Sequence, residues 1–494
     1  MRQKNKQRRI FSMNNSIQHF YEKGLVELSK AADIFYKNPK NLDDFIDGVI
    51  KPLLEFGIEY VTEVLQDADE CIRNSRQRRA SWNINRKEKT QLLTRLGNII
   101  YERTLFQNKK TGKYSYLLDD VMGIEPHTRM TIGAEAALIE EAIDSSYRKG
   151  GLFVSMTDSV SKQTVKNKIH ELIIEEQLKV PEIKKKVEVL YIDADEDHIA
   201  EQAYSGEKGS TIIGKIIYLY EGKELENAKS QRYKLIGKHY FGGVYEGRKG
   251  NETLWMKVWK YIDNHYDTDY LKRIYINGDG ADWIKAGCGM IAKSHFVLDK
   301  YHLANRINVA TAHLLDSSVD AKAMIYEAIK SKDRKNLKKA FEKIKNVTEN
   351  EKKLKEIEES EKYILNHWKA VIIHIGNPEV LGCSAEGHVS HTYSARMSSR
   401  PMGWSRHGAN QMCKLRCYKE NGGKIIELIK KQRELAELAK TGTADERILV
   451  QEYIMSAHRK RALDDSYYID RIQASIPGYT AKKVIWFNAH LGNI

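Results

Sequence analysis

Cysteine is scarce in this chain of 494 residues, and its spacing defines no pairing pattern. The five cysteines are odd in number and widely spread: Cys71, Cys288, Cys383, Cys413 and Cys417. They therefore do not read as the framework of a small disulfide-stapled secreted protein. Cys413 and Cys417 lie four residues apart on a predicted helix, but no nearby pair completes a zinc quartet. We expect a cytoplasmic protein in a reducing compartment.

Long apolar runs are also missing. Nowhere does the sequence contain the run of about 18 apolar residues that a membrane-spanning helix needs. The basic stretch from Met1 to Arg9 is not followed by the apolar segment of a secretory signal. Secretion and membrane insertion are therefore not expected.

Acidic residues are fewer than basic residues. The chain has 81 Lys and Arg residues against 67 Asp and Glu residues, which leaves a net charge of +14. This balance favours a polyanionic partner such as nucleic acid, although basic proteins without such a partner are common. With roughly 100 to 200 residues per domain, the length predicts about three domains.

The first part of the chain has helical periodicity. From Ser16 to about Ile72 apolar residues recur every three or four positions, with a break at Asn38-Pro39. This pattern predicts amphipathic helices. Residues 1–72 are therefore interpreted as an N-terminal helical region.

A basic cluster and a predicted hairpin follow in residues 73–125. Two strand-like stretches, Gln91 to Phe106 and Lys113 to Leu118, flank a polar turn from Gln107 to Gly112. The cluster has two interpretations, a phosphate-binding surface or an ordinary solvated one. Its members are Arg73, Arg76, Arg78, Arg79, Arg86, Lys87 and Lys89. Of these, the DNA-binding candidates are Arg76, Arg78 and Arg79.

Residues 126–182 return to a helical pattern that contains a helix-turn-helix-like segment. Ser161 can cap a helix whose Val165 and Ile169, four apart, face inward. The side chains that would then face a DNA groove are Lys162, Gln163 and Lys166. An ordinary capped surface helix is the alternative, since such patterns are weak in single sequences.

The central region predicts an α/β fold. Three predicted strands come first, Val187 to Asp195, Thr211 to Tyr220 and Tyr233 to Tyr245. They are followed by helix Glu252 to His265, strand Arg273 to Ile276, helix Ala281 to Ala286 and strand His295 to Leu298. Three antiparallel strands, a helix, a strand, a helix and a strand is the order of the RNase H-like fold. We therefore expect a mixed five-stranded sheet with helices.

Helical, Lys- and Glu-rich sequence follows from Tyr301 to about Ile373. We interpret it as an all-α insertion that divides the core. The expected organisation after residue 182 is a first core part at 183–302, an α-helical insertion at 303–375, a second core part at 376–422 and a C-terminal helical region at 423–494.

Three acidic residues end hydrophobic stretches in this core: Asp195, Asp279 and Glu386. Clustered carboxylates suit hard cations such as Mg²⁺, and two such ions can drive phosphodiester chemistry. Asp193 shares a strand face with Asp195, so spacing alone does not choose between them. Asp279 lies between two glycines after a strand and before a helix, where a solvated turn or a helix cap is the alternative.

Asp299 and His302 lie three apart at a predicted strand-to-helix junction. On a helix this spacing puts both on one side. They could form a metal-binding pair, or they could cap and bond the local backbone. The pattern leaves both interpretations open.

Three blocks of this sequence resemble the ISLre-type insertion-sequence transposases, bacterial members of the mutator-like DDE group. They are Tyr-Ile-Asp-Ala-Asp-Glu-Asp-His at 191–198, Tyr-Ile-Asn-Gly-Asp-Gly-Ala-Asp-Trp-Ile-Lys at 275–285 and Phe-Val-Leu-Asp-Lys-Tyr-His-Leu at 296–303. The resemblance extends over nearly the whole chain, including 94–97 and 394–400.

The resemblance implies roles for single residues. Asp195, Asp279 and Glu386 match the three catalytic, metal-binding acids of the family, with Asp193 as the alternative first acid. The pair Asp299 and His302 matches its Asp-x-x-His signature, for which a supporting role is implied. The implied cofactor is a pair of Mg²⁺ or Mn²⁺ ions.

The resemblance also implies a function. The enzyme would bind the terminal inverted repeats of an insertion sequence and catalyse metal-dependent strand cleavage and transfer into target DNA. Its partners would be double-stranded DNA and further copies of the chain, in a homodimer or larger synaptic assembly associated with the nucleoid. Two alternatives remain: a catalytically inactive or domesticated sequence-specific DNA-binding protein, and an RNase H-like nuclease.

Overall fold

Two structural units make up the chain. The computed structural model describes residues 15–174, 180–202, 209–230, 232–400 and 402–443, together with 447, 450, 451, 454 and 455. Unit 1 comprises Met1–Ile169 and Ile425–Glu434, and unit 2 comprises His170–Lys424 and Leu435–Ile494. In these described ranges no helix is long and apolar enough to cross a membrane. The basic stretch from Met1 to Arg9 and most of the predicted helical region after residue 443 lie outside them.

Unit 1 begins with helices, as the periodicity predicts. They are α1 (Asn15–His19), a π-helical turn (Phe20–Gly24), α2 (Leu25–Lys37) and α3 (Leu42–Asn74). The chain leaves α2 at Asn38, so the expected break before Pro39 is confirmed. Aromatic contacts join these helices, with ring centroids 4.7 Å apart for Phe20 and Phe56.

A three-stranded antiparallel sheet follows, preceded by α4 (Arg76–Ser81). Its strands are β1 (Trp82–Leu93), β2 (Asn98–Asn108) and β3 (Tyr114–Ser115), and α5 (Leu117–Met122) comes next. The prediction of one strand from Gln91 to Phe106 is wrong, because the main hairpin turns inside that stretch. There Thr94 donates its N–H to the carbonyl of Gly97 at 2.9 Å. The expected turn after Gln107 exists, but it joins β2 only to the short β3.

Three helices complete the described N-terminal part: α6 (Ile132–Asp144), α7 (Tyr147–Leu152) and α8 (Lys162–Glu171). The Ser161 hydroxyl accepts the N–H of Thr164 at 3.2 Å, which confirms the expected cap. Val165 and Ile169 are fully buried. The outward-facing set behaves as expected: Lys162 and Gln163 are exposed, and Lys166 is half-buried.

Unit 2 is built on a mixed five-stranded sheet. Its strands, with a separate two-stranded ribbon formed by β6 and β7, are β4 (Val189–Ala200), β5 (Thr211–Tyr220), β6 (Gly222–Leu225), β7 (Tyr233–Ile236), β8 (His239–Val244), β9 (Arg273–Gly278) and β10 (Ser294–Leu298). The order is β10-β9-β4-β5-β8. The contacts β10–β9 and β9–β4 are parallel, whereas β4–β5 and β5–β8 are antiparallel.

The stretch predicted as one strand, Tyr233 to Tyr245, is two. Gly237 adopts a left-handed conformation with φ of 61° and separates β7 from β8. Glycine tolerates this conformation, whereas residues with a Cβ rarely adopt it. The remaining predicted strands and helices of this region are confirmed in type and order, with boundaries that differ by a few residues. Strand β4 continues to Ala200, so the prediction that Asp195 ends this strand is wrong.

One face of this sheet carries the hydrophobic core. Helices α9 (Gly247–His265) and α10 (Asp282–Met290) pack there. Strand residues that point to this face include Ile192, Ile217 and Ile276, all fully buried in one cluster with helix side chains. This burial of alternate strand positions leaves the intervening positions for the opposite face.

The stretch after β10 is helical, as predicted. It comprises α11 (Lys300–Thr311), a 3₁₀ turn (Ala312–Ser317), α12 (Ser318–Lys330), α13 (Arg334–Asn346), α14 (Glu351–Asn366) and α15 (Trp368–Ile372). These helices bury their own cluster, which includes Ile325, Phe341 and Ile364. The last described elements are α16 (Ala385–Val389), a π-helical turn (Ser390–Ser394), α17 (Ala395–Met397), α18 (Arg406–Glu420) and α19 (Ile425–Thr441).

Candidate active site

The face of the sheet opposite the core is polar. Because strand side chains alternate, Asp193 and Asp195 of β4 both emerge there. The register places Tyr218 of β5 and Asn277 of β9 on either side of Asp193. Sequence that lies far downstream covers this face, and it begins with the segment between α15 and α16.

Asp193 is the hydrogen-bond centre of this face. It is fully buried and accepts bonds from Tyr218 Oη at 2.7 Å, Tyr220 Oη at 3.2 Å and Asn277 Nδ2 at 2.6 Å. Ser384 adds its backbone N–H at 3.0 Å. Burial and then the Asp193 charge raise the pKa of both tyrosines far above the ordinary value, so both stay protonated donors. The Asp193 oxygens are therefore already engaged within the fold.

Asp195 differs from Asp193 in exposure and in charge environment. It is half-buried, and its Oδ1 accepts the N–H of Glu196 at 2.8 Å. Burial raises the pKa of Asp195, the N–H of Glu196 opposes this effect, and the charges of Asp279 and Glu386 add to it, so that the pKa reaches about 7. The structure thus brings the three acids into one electrostatic neighbourhood from β4, the turn after β9 and the first turn of α16.

Asp279 lies in the turn between β9 and α10. Its Oδ1 accepts the N–H of Ala281 at 2.8 Å, a bond within the turn. The N-cap residue of α10 is Ala281, without a side-chain cap bond, so the helix-cap interpretation of Asp279 is wrong. The hydroxyl of Tyr363, on α14, donates to the Asp279 carbonyl oxygen. Gly280 adopts a φ of +92°, and a Cβ added there would lie 2.7 Å from His367 Nε2. The helical region thus holds this turn in place.

Glu386 reaches the polar face through the segment that precedes it. Tyr191 Oη donates to the carbonyl of Glu379 at 2.7 Å, and Tyr275 Oη donates to the carboxylate of Glu379 at 2.6 Å. The bond from Ser384 to Asp193 fixes the chain two residues before Glu386. The Glu386 side chain itself is exposed.

Asp299 and His302 lie beside the same group. Asp299 is buried, caps α11 by accepting the N–H of Tyr301 at 3.1 Å, and stands 3.9 Å from His302 Nε2. Burial raises the pKa of Asp299, and the charges of Asp193 and Glu386 raise it further. The local capping role is therefore present, together with proximity to the acids.

The residues fit a hard divalent cation by their chemistry. Across the described ranges, no Lys, Arg or His forms an ion pair with Asp195, Asp279 or Glu386, so their charges lack a protein counterion. The amide oxygen of Asn277 is buried without a hydrogen-bond partner. Oxygen donors of this kind suit Mg²⁺ and Mn²⁺. Among the described residues, however, no three metal-ligating side chains already stand close enough to hold an ion.

The DNA-binding candidates belong to unit 1. Arg76 and Arg79 are exposed on α4. Arg78 is half-buried, donates to the carbonyl of Arg73, and places its guanidinium carbon 5.9 Å from the ring centroid of Phe106. Arg78 therefore has a structural role in addition to any contact with phosphate.

Sequence reasoning missed the residues that hold the acids in place. They are Tyr218, Tyr220, Asn277, Ser384 and Tyr363. Tyr218 and Tyr220 alternate along β5, and Tyr218 pairs with Asp193 of β4. This alternation was a usable signal once those strands were taken as antiparallel. The roles of Ser384 and Tyr363 depend on tertiary packing, which no local pattern encodes.

Comparison with known proteins places the chain among relatives of undescribed function. A family model described as an uncharacterised protein family, UPF0236, matches residues 35–434. A UPF0236 protein of Caldanaerobacter subterraneus subsp. tengcongensis, whose name joins eleven locus designations, is 37% identical over 402 residues, 81% of this chain and 83% of the relative. Another from the same organism, with four designations, is 37% identical over 388 residues, 78% of this chain and 80% of the relative.

Proposed function

The chain belongs to the uncharacterised family UPF0236, and we propose that it is a DNA transposase of the ISLre type within the mutator-like DDE group. It would bind the terminal inverted repeats of an insertion sequence, cleave DNA strands there and join them to target DNA. In this proposal the mixed sheet of unit 2 is an RNase H-like catalytic core, and α11 to α15 form its all-α insertion.

The observation that carries the proposal is the electrostatic proximity of three acids that form no ion pair with any described residue. Asp195 and Asp279 lie 84 positions apart in the chain, and Glu386 lies a further 107 beyond. The charges of Asp279 and Glu386 nevertheless both raise the pKa of Asp195. Neighbouring carboxylates repel one another when they are ionised, and a bound cation would relieve that repulsion. The mutual influence of these acids therefore supports a role for metal at this point.

The chain's own residues divide the work. Asp195, Asp279 and Glu386 would hold two Mg²⁺ or Mn²⁺ ions. When bound, such ions neutralise charge on the attacked phosphate and leaving oxygen, and they lower the pKa of an attacking water or hydroxyl. Asp193 fixes β4 and the segment before Glu386, while Tyr363 fixes the turn that carries Asp279. Asp299 and His302, with Oδ2 and Nε2 3.9 Å apart, would have a supporting role at the edge of this group.

Unit 1 supplies the proposed contacts with DNA. A recognition helix α8 would present base-reading and phosphate-binding side chains to the element ends. The residues proposed for these contacts are Lys162, Gln163, Lys166, Arg76, Arg78 and Arg79. Because transposition joins two DNA ends, a homodimer or larger synaptic assembly is proposed as the working form.

The names of the relatives support a mobile element. One protein name joins eleven locus designations of a single organism and another joins four. Several loci under one protein name are expected when a gene is copied within a genome. The names record no activity, so this support concerns the gene and not the chemistry.

The test is cleavage of duplex DNA that carries the element ends, with Mg²⁺ or with EDTA. The proposal expects Mg²⁺-dependent nicks at the ends and none in scrambled DNA. Binding of the ends without nicking at any metal concentration would favour the inactive or domesticated DNA-binding protein. Cleavage of an RNA–DNA hybrid without regard to sequence would favour the RNase H-like nuclease.

A further inference from the structure

A cavity of about 280 Å³ lies at the edge of the five-stranded sheet in unit 2. Residues of the edge strand β8 and of helices α9 and α18 line it. The three acids of the candidate active site do not contribute to its lining. Small-molecule sites in proteins have volumes of about 300 to 1,000 Å³, so this cavity lies at the lower limit for one small molecule and is too small for a duplex.

The cavity is basic. Lys257 and Lys260 of α9, three residues apart on one side of the helix, line it together with Lys414 of α18. Both helix α9 lysines are exposed, and in the described part of the chain neither forms an ion pair. Among the described residues that line the cavity there is no Asp or Glu. The charge of the lining therefore favours an anionic ligand.

The same walls are aromatic. Tyr245, which follows β8, and Tyr418 of α18 line the cavity beside the lysines. Lys257 Nζ lies 5.9 Å from the ring centroid of Tyr245, so ring and charge are neighbours. Aromatic side chains stack with flat bases, and lysines bind the adjoining phosphates. The combination suits a ligand that carries a flat ring and a phosphate.

The edge strand adds hydrogen-bonding groups. The N–H of Tyr240 bonds to Asn421 Oδ1 at 2.7 Å, and the N–H of Val244 bonds to Asn410 Oδ1 at 3.0 Å. Both bonds lie on the side of β8 away from β5. Because this direction repeats at every second residue, the N–H and C=O of Gly242 point to the same side. Gly242 lines the cavity, so its backbone can meet the edge of a base.

We infer that this cavity binds a single nucleotide. The base would stack on Tyr245 or Tyr418 with its edge at Gly242, and the phosphate would lie against Lys257, Lys260 and Lys414. The ligand is either a free mononucleotide or one nucleotide of a DNA strand that is turned out of the base stack, and both have the same chemistry. Binding of a DNA strand rests on the proposed function, whereas binding of a free mononucleotide does not.

The experiment is isothermal titration of the full chain in EDTA with deoxyadenosine monophosphate, with single-stranded oligodeoxyadenylate and with a duplex of the same length. The test variant is Lys257→Gln combined with Lys260→Gln. Lys249→Gln, an exposed lysine of the same helix outside the cavity, is the matched control. A thermal melt of each variant verifies folding, and Tyr245→Leu tests stacking separately.

The inference expects the double variant to bind the mononucleotide or the oligonucleotide, whichever the wild type binds more tightly, about tenfold more weakly. The salt slope for the oligonucleotide should fall by about 0.7, because the two lysines neutralise one phosphate. The Lys249→Gln variant keeps wild-type affinity. Binding of the mononucleotide identifies a free nucleotide as ligand, and binding of the oligonucleotide alone identifies a unit of a strand. No binding of either probe at millimolar concentration, or equal affinity of wild type and double variant, overturns the inference. Since EDTA is present throughout, neither outcome depends on cleavage activity.

Discussion

Ser384 donates its backbone N–H to the carboxylate of Asp193, at 3.0 Å and across 191 positions of sequence. This bond ties the segment before Glu386 to the strand that carries Asp195. Together with the bonds from Tyr191 and Tyr275 to Glu379, it fixes the third acid relative to the first. The fully buried Asp193 thus serves the site by holding chain segments together, and not by exposing its own oxygens.

Asp193 and Asp195 should differ in their effect on stability. Asp193→Ala leaves the buried donors Tyr218 Oη, Tyr220 Oη and Asn277 Nδ2 without their acceptor. We expect this change to lower the free energy of unfolding by about 3 kcal/mol or more, measured by urea denaturation. Asp195→Ala is the control and should cost little. Equal losses of unfolding free energy for Asp193→Ala and Asp195→Ala would contradict the structural role assigned to Asp193 alone.

The raised pKa of Asp195 predicts a pH dependence of stability. Its folded pKa is about 7 against an ordinary 3.8, so the folded chain keeps a proton that the unfolded chain releases between these values. Stability therefore falls as pH rises through this window. In EDTA at pH 8, Asp195→Asn should be more stable than wild type by about 1 to 3 kcal/mol, and the difference should vanish near pH 4. A difference that is the same at both pH values would disprove this assignment.

The affinity for metal should depend on the protonation state of Asp195. If a divalent ion binds the ionised Asp195, raising the pH from 6 to 8 should tighten Mn²⁺ binding by about tenfold, because the ion displaces the proton. Calorimetry of wild type, Asp279→Asn and Glu386→Gln measures this. Asp282→Asn is the matched control, since Asp282 is an exposed acid three residues after Asp279, at the start of α10, and its carboxylate pairs with Lys285 Nζ at 2.7 Å. Affinity that is independent of pH, or a control that binds as weakly as Asp279→Asn, would argue against the site.

Tyr363 should matter for activity more than for stability. Tyr363→Phe removes the hydroxyl that bonds the Asp279 carbonyl oxygen but keeps the ring, which packs under the guanidinium of Arg306 with 4.9 Å between them. We expect DNA nicking about tenfold slower, since loss of a single positioning bond costs on the order of 1 kcal/mol. Tyr326→Phe, in helix α12 of the same region, should nick at the wild-type rate. Equal nicking rates for Tyr363→Phe and wild type would show that the Tyr363 hydroxyl does not help to position Asp279.

The exposed face of α8 should contribute to DNA affinity. Lys162→Ala with Lys166→Ala should reduce the salt slope of duplex binding by about 1.8, because each lysine would release counterions from one phosphate. Gln163→Ala should narrow the preference for element ends over scrambled DNA. Lys149→Ala, an exposed lysine of α7, is the control. Fluorescence anisotropy at several salt concentrations measures both effects, and an unchanged slope in the double variant would assign α8 a structural role only.

Local sequence patterns predicted most of the fold. The mixed sheet, the helices around it and the α8 cap all follow from periodicity and turn residues. The errors arose where a short turn interrupts a stretch that was predicted as one strand. Gly237 divides a predicted strand, and the Thr94 to Gly97 turn divides another. Such divisions depend on tertiary pairing of the strands as much as on the local sequence.

The candidate site was predicted less completely. Spacing alone left Asp193 and Asp195 as alternatives, and only the family resemblance favoured Asp195. Burial and hydrogen bonding now distinguish the two residues. Glu386 was the weakest candidate because a long helical region separates it from the others. The bonds from Tyr191, Tyr275 and Ser384 explain its position, and each of them crosses about 100 residues or more. No periodic pattern reports contacts over such separations.

The most direct test of the central claim is a paired measurement on Asp279→Asn. The purified variant and wild type are compared for binding to the element ends and for Mg²⁺-dependent cleavage of the same DNA. The account predicts that the variant folds, binds the ends with wild-type affinity and fails to cut. Cleavage by Asp279→Asn at the wild-type rate would contradict a metal-dependent active site built from Asp195, Asp279 and Glu386.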